Sequence, residues 1–434
     1  MKIAFLTPSF FPKIGGMEIQ LEILACLLQR RGIDVHVFAP YYSYKFNEKS
    51  FIFSLHRHAT YISNRAIGCA IGDYPIPGSI TGLGAKIRAE NQRSPFDLFV
   101  AYSSYKYGNV ALGLRRLYGK PVVLRTHGAD INMVPEIKYG WRLDPKKALL
   151  IEQSVRQADH CIAISESVVQ LQREIRGDSG ISKIWNGVDV KKFSPRSHIG
   201  AGVQSDRAAV GILVGRNAPK KQFDGFLLAF SKSEILKQKM KIRLVGRGMK
   251  QLASLCHEHG IAEFVELIEG VDAESMPELY RSADVFIMPS RMETFGTVTV
   301  EAMASGLPVV GLDAPGTTDQ IVDGKTGFLA PTLDDMVRRL EEMVDAPTQM
   351  RTFAGAGRKR AVSSFSWDAV TAQYEAVFQK TIDDFKNPTK SRSHSKVENY
   401  ERGHVSFQNI DFMVIEIFFL VIKKIKFYFR KLNK

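Results

Sequence analysis

Two glutamates eight residues apart, Glu293 and Glu301, flank a Phe295-Gly296-Thr297 step. Val285–Met288 reads as a buried strand, and the run from about Thr297 to Ser305 as a helix stopped by Gly306 and Pro308. A strand that turns through glycine into a helix leaves unpaired N–H groups and positive dipole at the helix start. That end suits an anion such as phosphate. Gly296 lets a ligand come close to the backbone. Glu301, one turn inside, could accept hydrogen bonds from ribose hydroxyls, and Glu293, in the loop, could reach a sugar. Taken alone, the pair reads equally well as a capped surface helix carrying two solvated carboxylates.

Two further sets of residues carry compatible chemistry. Val214-Gly-Arg-Asn-Ala-Pro-Lys-Lys221 follows directly on an apolar run, Ala209–Val214. Arg216 and Lys221 in such a loop would stabilise the charge that collects on a diphosphate when the bond to its sugar breaks. Lys220 adjoins Lys221, so the choice of lysine stays open by one residue. In Leu124-Arg-Thr-His-Gly-Ala-Asp130, His127 also follows an apolar run and precedes a glycine. A lone histidine there is more often structural, and Asp130 reads best as a cap. Gly15-Gly16, after Pro12, marks by itself only a flexible turn.

The elements that must hold these loops alternate along the chain. Lys2–Thr7 reads as a buried strand, Met17–Arg31 as a helix closed at Gly32, and Asp34–Ala39 as the next strand. Leu98–Ala101, Pro121–Leu124 and His160–Ile164 continue the pattern, which pauses over the polar stretch Ser194–Ala208. It restarts at Ala209–Val214 and goes on through Lys241–Val245, Phe264–Ile268, Val285–Met288 and Pro308–Leu312. Such alternation implies parallel strands covered by helices, with ligands beyond the carboxyl ends of the strands. The expected architecture is α/β. Residues 1–200 and 201–365 form two doubly wound, Rossmann-like domains facing across a cleft. Residues 366–385 form a helix returning to the first domain, and 386–434 a linker and basic amphipathic tail.

Bulk properties agree. At 434 residues, with 45% apolar and 24% charged residues, the chain has material for two cores. A formal charge of +14 points to an anionic partner: nucleic acid, membrane surface or phosphorylated substrate. Cys26, Cys69, Cys161 and Cys256 are scattered, with no Cys-x-x-Cys pair, which argues against a disulfide framework or zinc site and fits a reducing cytoplasm. The first apolar run is too short for a signal peptide, and no stretch reaches the ~20 apolar residues that span a bilayer. A soluble or membrane-peripheral protein is expected.

Several of these segments, in this order, resemble one family. Glu293 to Glu301, with Ala302-Met303-Ala304 and Gly306-Leu-Pro-Val-Val310, is similar to the Glu-x7-Glu signature of retaining glycosyltransferases of family 4, which have the GT-B fold. The likeness runs on through Thr317, Asp319, Asp323-Gly324 and Thr326-Gly327-Phe328-Leu329, and covers roughly residues 1–380. By position it implies that Glu293 contacts the donor sugar and Glu301 the nucleotide ribose, with backbone at Phe295, Gly296 and Thr297 near the donor phosphates or sugar. Arg216 and Lys221 match the Gly-Arg-x4-Lys whose cations hold the diphosphate. Gln222 stands where the family usually has glycine, which puts the local turn in question. His127 matches the histidine that contacts the donor sugar. Gly15-Gly16 matches the glycine-rich first loop near the donor phosphates and the acceptor.

Other matching segments read as structural. Trp185-Asn-Gly-Val-Asp189 would close the first domain, and Ser165-Glu-Ser167 would cap a helix. Gly246-Arg-Gly248 stands where the family often has Gly-Asp-Gly. The implied reaction moves a hexose-type sugar, with retention, from a nucleotide diphosphate sugar as co-substrate, with no cofactor. No metal is expected, since no Asp-x-Asp cluster argues for one. No first-domain carboxylate in these motifs is placed as a nucleophile, so front-face attack is the expected course, a donor phosphate oxygen taking the acceptor's proton.

The tail changes character. Drawn as a helix, Lys423, Lys424, Lys426, Arg430, Lys431 and Lys434 share one face and Ile425, Tyr428, Phe429 and Leu432 the other. Residues 411–434 therefore read as an interfacial helix on an anionic membrane, with a helix packed on the protein body or a coiled-coil partner as alternatives. A glycan or lipid-linked, cell-envelope acceptor would suit such a tail, aided by the aromatic, basic stretch Tyr44–Arg65. The location would be the cytoplasmic face of the membrane. Nucleic-acid binding is disfavoured, because much of the excess charge lies in the tail and no such motif is present. A GT-B epimerase or phosphorylase, or a non-catalytic sugar-nucleotide binder, remain as rivals. Gly324-Lys-Thr326 resembles the end of a P-loop, but Asp319 stands where glycine is required, and no Gly-x-Gly-x-x-Gly follows the first strand to favour an NAD enzyme.

Overall fold

The computed structural model describes residues 1–13, 15–40, 50–58, 82–195 and 207–387. The basic tail, 411–434, lies outside the described residues, as do Cys69 and most of the Tyr44–Arg65 stretch.

Seven parallel strands make the first sheet: β1 Lys2–Leu6, β2 Asp34–Pro40, β3 Ser54–His58, β4 Leu98–Ala101, β5 Val122–Arg125, β6 His160–Ala163 and β7 Ile181–Lys183. They lie in the order β3-β2-β1-β4-β5-β6-β7. Six make the second: β8 Ala209–Val214, β9 Met240–Gly246, β10 Val265–Glu269, β11 Val285–Met288, β12 Val309–Leu312 and β13 Gly327–Ala330, in the order β10-β9-β8-β11-β12-β13. All the pairings are parallel. The winding reverses between β1 and β4 in one sheet and between β8 and β11 in the other, and each reversal opens a crevice at the carboxyl ends. This is the two-domain α/β GT-B arrangement.

Local sequence accounts for most of these elements. Every residue of β1, β4, β5, β6, β11 and β12 is buried, because helices cover both faces, and the strands are correspondingly continuous apolar runs. The helix Gly16–Arg30 buries Leu21, Leu24, Ala25 and Leu28, one stripe at helical spacing, and Gly32 follows its end in the left-handed region at φ 83°. Three strands were not expected. The half-exposed β3 (Ser-Leu-His-Arg-His) and β7 (Ile-Ser-Lys) carry too few apolar residues to announce themselves, and β13 had been read only as part of a motif. Lys386 ends the helix Trp367–Lys386, so the polar segment begins after it.

That last helix packs Val370, Tyr374, Phe378 and Ile382 into the core around β1 and the helix Gly16–Arg30, with the Phe378 and Phe5 rings 6.1 Å apart. The chain thus crosses from the first sheet to the second and back. At the crossing Val188 N donates to Phe365 O at 2.8 Å, and Arg358 donates to the carbonyls of Val190, Phe193 and Ala304. The helix Glu166–Arg176 has Ser165 as its side-chain cap. Its first N–H, on Glu166, is taken by the Asp319 carboxylate, at 2.9 and 3.0 Å, from the loop after β12. Trp185 Nε1 also donates to Asp319, and Lys183 stands 3.7 Å from it. A buried anion on a helix start is favoured by hydrogen bond and dipole together.

Gln222 settles the turn that its departure from glycine put in question. It takes the left-handed conformation itself (φ 50°, ψ 36°) immediately before the helix Phe223–Ser231. Such a conformation costs an L-residue about 1 kcal/mol.

Two stability measurements check these points. In urea unfolding, Asp319→Ala should lose about 2–4 kcal/mol, because it orphans Glu166 N–H and Trp185 Nε1. Gln222→Gly should gain up to about 1 kcal/mol, whereas β-branched Gln222→Val should lose about 1–2.

Candidate active site

The loops at the carboxyl ends of β1, β5, β8 and β11, with the helices that follow β1 and β11, hold the candidate catalytic and donor-binding residues, and the structure brings some into direct contact. In the second sheet, β8 leads through Gly215 and Arg216 into the short turn Pro219–Lys221. A Cβ on Gly246 would stand 1.9 Å from Gly215 O, so that glycine is required where the loops after β8 and β9 cross. β11 leads through Ser290 and Glu293 to the helix Thr297–Ala304.

Lys221 Nζ lies 2.7 Å and Lys220 Nζ 3.5 Å from the Glu293 carboxylate. Both lysines therefore reach one anion. Burial would push the Glu293 carboxyl up, but the two lysines outweigh it and hold it below the ordinary carboxylate value. Glu293 is thus ionised and buried, at 7% exposure. Arg216 is exposed in the same loop. Three cations and one carboxylate leave local positive charge.

The Thr297–Ala304 helix begins at Gly296 in the left-handed region (φ 77°), with no side chain capping it. Phe295 is buried against Phe365. Gln320 Nε2 donates to the carbonyls of Phe295 and Gly296, which fixes the orientation of that step. Thr297 opens the helix. Glu301 lies one turn in, half-buried, where Tyr280 Oη donates to its Oε2 at 3.0 Å. Burial pushes its carboxyl up to about 7, against the Tyr280 hydrogen bond and the charge of Lys192.

The first sheet contributes the loop after β5. Asp130 is a tie rather than a reactive group: its Oδ1 accepts from His127 N and Gly128 N, and its Oδ2 from Ser104 N. The His127 ring packs on Tyr102 at 4.3 Å, and Arg125 Nη1 lies 3.2 Å from Nδ1. Burial, and then the Arg125 charge, hold the ring well below the usual histidine value, so it is neutral near pH 7. Arg125 itself is buried at 1% exposure, donates to Tyr102 Oη and Asn186 Oδ1, and lies over the Tyr102 ring. Gly15 precedes the Gly16–Arg30 helix without a side-chain cap, and a Cβ on Gly16 would meet nothing within 4 Å. Gly15 borders Glu18, whose carboxylate accepts from Ser9 Oγ.

The two halves touch across this site. Asn132 Nδ2 donates to Thr294 Oγ1 at 3.3 Å, and Gly128 leaves no room for a Cβ beside that oxygen. Lys220 Nζ sits over the Tyr139 ring at 5.3 Å. The His127 loop of the first sheet therefore faces Glu293 and Thr294 of the second. Sequence reasoning missed Tyr280, Gln320, Arg125 and Tyr139, each of which positions a singled-out residue. Only Arg125 left a trace, as a charged residue at the end of an apolar strand.

Comparison with known proteins agrees with this geometry. Residues 14–192 match the family described as Glycosyltransferase Family 4, and residues 202–360 match Glycosyl transferases group 1. The chain is 28% identical over 333 residues to D-inositol 3-phosphate glycosyltransferase 2 of Catenulispora acidiphila, covering 72% of this chain and 78% of that one. It is 27% identical over 394 residues to the D-inositol 3-phosphate glycosyltransferase of Mycobacteroides abscessus, covering 87% of each. Among solved structures, sucrose-phosphate synthase from Thermosynechococcus elongatus superposes with a TM-score of 0.70 at 20% identity, over 88% of this chain and 99% of that one. Anabaena HepE in complex with UDP superposes with a TM-score of 0.69 at 19% identity, over 88% and 100%. Two family matches covering both sheets in succession, on this topology, make the chain a member of the family 4, group 1 glycosyltransferases.

Proposed function

We propose that this glycosyltransferase moves a hexose-type sugar, with retention of anomeric configuration, from a nucleoside diphosphate donor to a glycan or lipid-linked acceptor of the cell envelope. The observation that carries the donor assignment is the convergence of Lys220 and Lys221 on buried Glu293, beside the uncapped helix start at Gly296-Thr297. A diphosphate has no better-matched partner than two or three cations and free helix N–H groups. In this reading Arg216 and Lys221 hold the diphosphate and stabilise it as it leaves, Glu293 addresses the sugar hydroxyls, and Glu301 takes the ribose. His127, neutral, hydrogen-bonds to the sugar without adding charge. Gly15 and Gly16 leave room for the donor phosphates, and neither metal nor cofactor is needed.

Retention by front-face attack fits the carboxylates present. Glu293 is committed to two lysines and Asp130 to three backbone N–H groups, so neither stands as a free nucleophile. The acceptor hydroxyl would enter from the side on which the nucleotide leaves, and a donor phosphate oxygen would take its proton. Contact between the halves over the donor would exclude water.

The acceptor assignment rests on the +14 charge and the basic, amphipathic composition of residues 411–434, which suit peripheral attachment to the cytoplasmic face of a membrane. Among the described residues no helix is long and apolar enough to cross a membrane. The relatives' names supply a rival acceptor, a phosphorylated polyol.

Two measurements test the reaction. With UDP-glucose as the first donor tried, because HepE has been crystallised with it, NMR of the first-formed product should show the donor's anomeric configuration; an inverted centre would overturn the mechanism. Arg216→Ala should lower kcat about 100-fold. Assays with lipid-linked and inositol phosphate acceptors side by side separate the two acceptor readings.

The Glu301 carboxyl gives a pH test. Ribose hydroxyls donate to its anionic form, so donor binding should tighten as pH rises through about 7 and release a proton on binding. Calorimetry in two buffers of different ionisation enthalpy detects that proton. Glu301→Gln should weaken binding and flatten the profile, and a flat wild-type profile would remove Glu301 from the ribose site.

A further inference from the structure

On one face of β2 and β3, two histidines and a glutamate meet. β2 and β3 pair in parallel with Phe38 opposite His56 and His36 opposite Ser54, which puts His36 and His56 on one sheet face two residues apart in register. His36 Nδ1 and His56 Nε2 are 2.9 Å apart, with the ring planes only 4° from parallel. The helix Leu83–Arg93 brings Glu90 over the same face, and one ligand atom from each of the three lies within 4.8 Å of the others. On the far side of the His36 ring, Asp34 Oδ1 accepts from Nε2 at 3.2 Å.

We propose that His36 Nδ1, His56 Nε2 and the Glu90 carboxylate form a divalent transition-metal site of the zinc type, unrelated to sugar transfer, that staples the edge strand β3 and the helix Leu83–Arg93 to β2. Three features single out this cluster. The donor set, two imidazoles and one carboxylate, is the one Zn2+ takes in three-ligand sites, with water as the fourth. Two Zn–N bonds of about 2.05 Å at a tetrahedral angle place the nitrogens about 3.3 Å apart, so the rings, whose nitrogens now face one another, need to part by a few tenths of an ångström and each turn off the line between them. The Asp34–His36 hydrogen bond puts the ring proton on Nε2 and turns the Nδ1 lone pair toward the site, as carboxylate partners do for metal-bound histidines.

The surroundings allow it. Burial keeps both rings below the usual histidine value, His56 at about 4, so neither proton competes with a cation at neutral pH. Among the described residues the Glu90 carboxylate is held by Arg93 alone, whose side chain is 74% exposed and free to swing away. Lys2 and Lys86 contribute nearby positive charge, but Lys2 Nζ is already donated to the carbonyls of Glu90 and Ser94. A staple has a physical purpose here. Among the described residues β3 is the outermost strand and pairs with β2 alone, and it offers mainly histidine and arginine where the inner strands offer apolar side chains.

Zn2+ alone, added to full-length, tag-free protein stripped with a chelator and desalted, tests the site. Elemental analysis should find one zinc retained per chain, Tm should rise, and Co2+ in its place should show the visible absorption of a tetrahedral ion. His56→Gln should abolish all three responses. Glu90→Gln, which keeps the size of a side chain 16% exposed, should weaken zinc affinity, and Asp34→Asn should weaken it about 10–100-fold. Wild-type protein that retains no more zinc than His56→Gln, or zinc bound equally by the Glu90→Gln and Asp34→Asn variants, would overturn the assignment and leave a proton-bridged histidine pair.

Discussion

Asp319 and Gln320 form the joint on which the rest of the molecule depends. The Asp319 carboxylate accepts the first N–H of the Glu166–Arg176 helix and the indole of Trp185, both on the first-sheet side. The next side chain, Gln320, donates to the carbonyls of Phe295 and Gly296, where the second sheet opens its helix. Arg360 closes the joint by donating to the carbonyls of both residues. One dipeptide thus ties the position of one half to the backbone orientation of the Phe295-Gly296 step in the other. Because these groups are buried, each lost partner would leave an unpaired polar atom in low dielectric, and the joint is costly to open.

From that joint the site's electrostatics follow. A buried carboxylate is expensive unless paired, and Glu293 persists as an anion because Lys220 and Lys221 reach it from the loop after β8. Glu301 has only a tyrosine hydroxyl and a distant lysine, and its carboxyl rises instead. Two glutamates of one motif therefore carry different charge in the same medium, set by what faces them. His127 stays neutral because it is buried and because Arg125 already occupies its neighbourhood as a buried cation held by Tyr102 and Asn186. The site combines fixed positive charge, one fixed anion and one carboxyl that a ligand can ionise, which suits a ligand with a charged diphosphate at one end and neutral hydroxyls at the other.

The histidine pair on the face of β2 and β3 shows the same economy of placement. Parallel pairing carries the loops that present Arg216, Glu293 and His127 to the carboxyl ends of the strands. His36 and His56 sit within the strands at the edge of the sheet, where β3 has Leu55 as its one apolar residue.

Much of the fold was legible in the chain itself. The strands that reach the site are apolar but for Lys2 and Arg125 at their ends, and the helix boundaries carry recognisable glycines and caps, because burial on both faces and unpaired helix ends act locally. The candidate loops at the strand ends were legible too, since Gly296, Arg216 and Glu301 are spaced by the strand-to-helix turns that present them. Edge strands β3 and β7 were not, because half-exposed strands need no apolar run. Nor could local sequence reveal that Lys221 is spent on Glu293, that Tyr280 and Gln320 orient the motif, or that the Gln222 turn keeps a glycine's geometry at a cost. Those depend on residues tens of positions apart meeting at the ends of two sheets. Local pattern determined which segments fold and which side chains are chemically able; only tertiary packing decided which charges meet, and so which carboxylate is ionised.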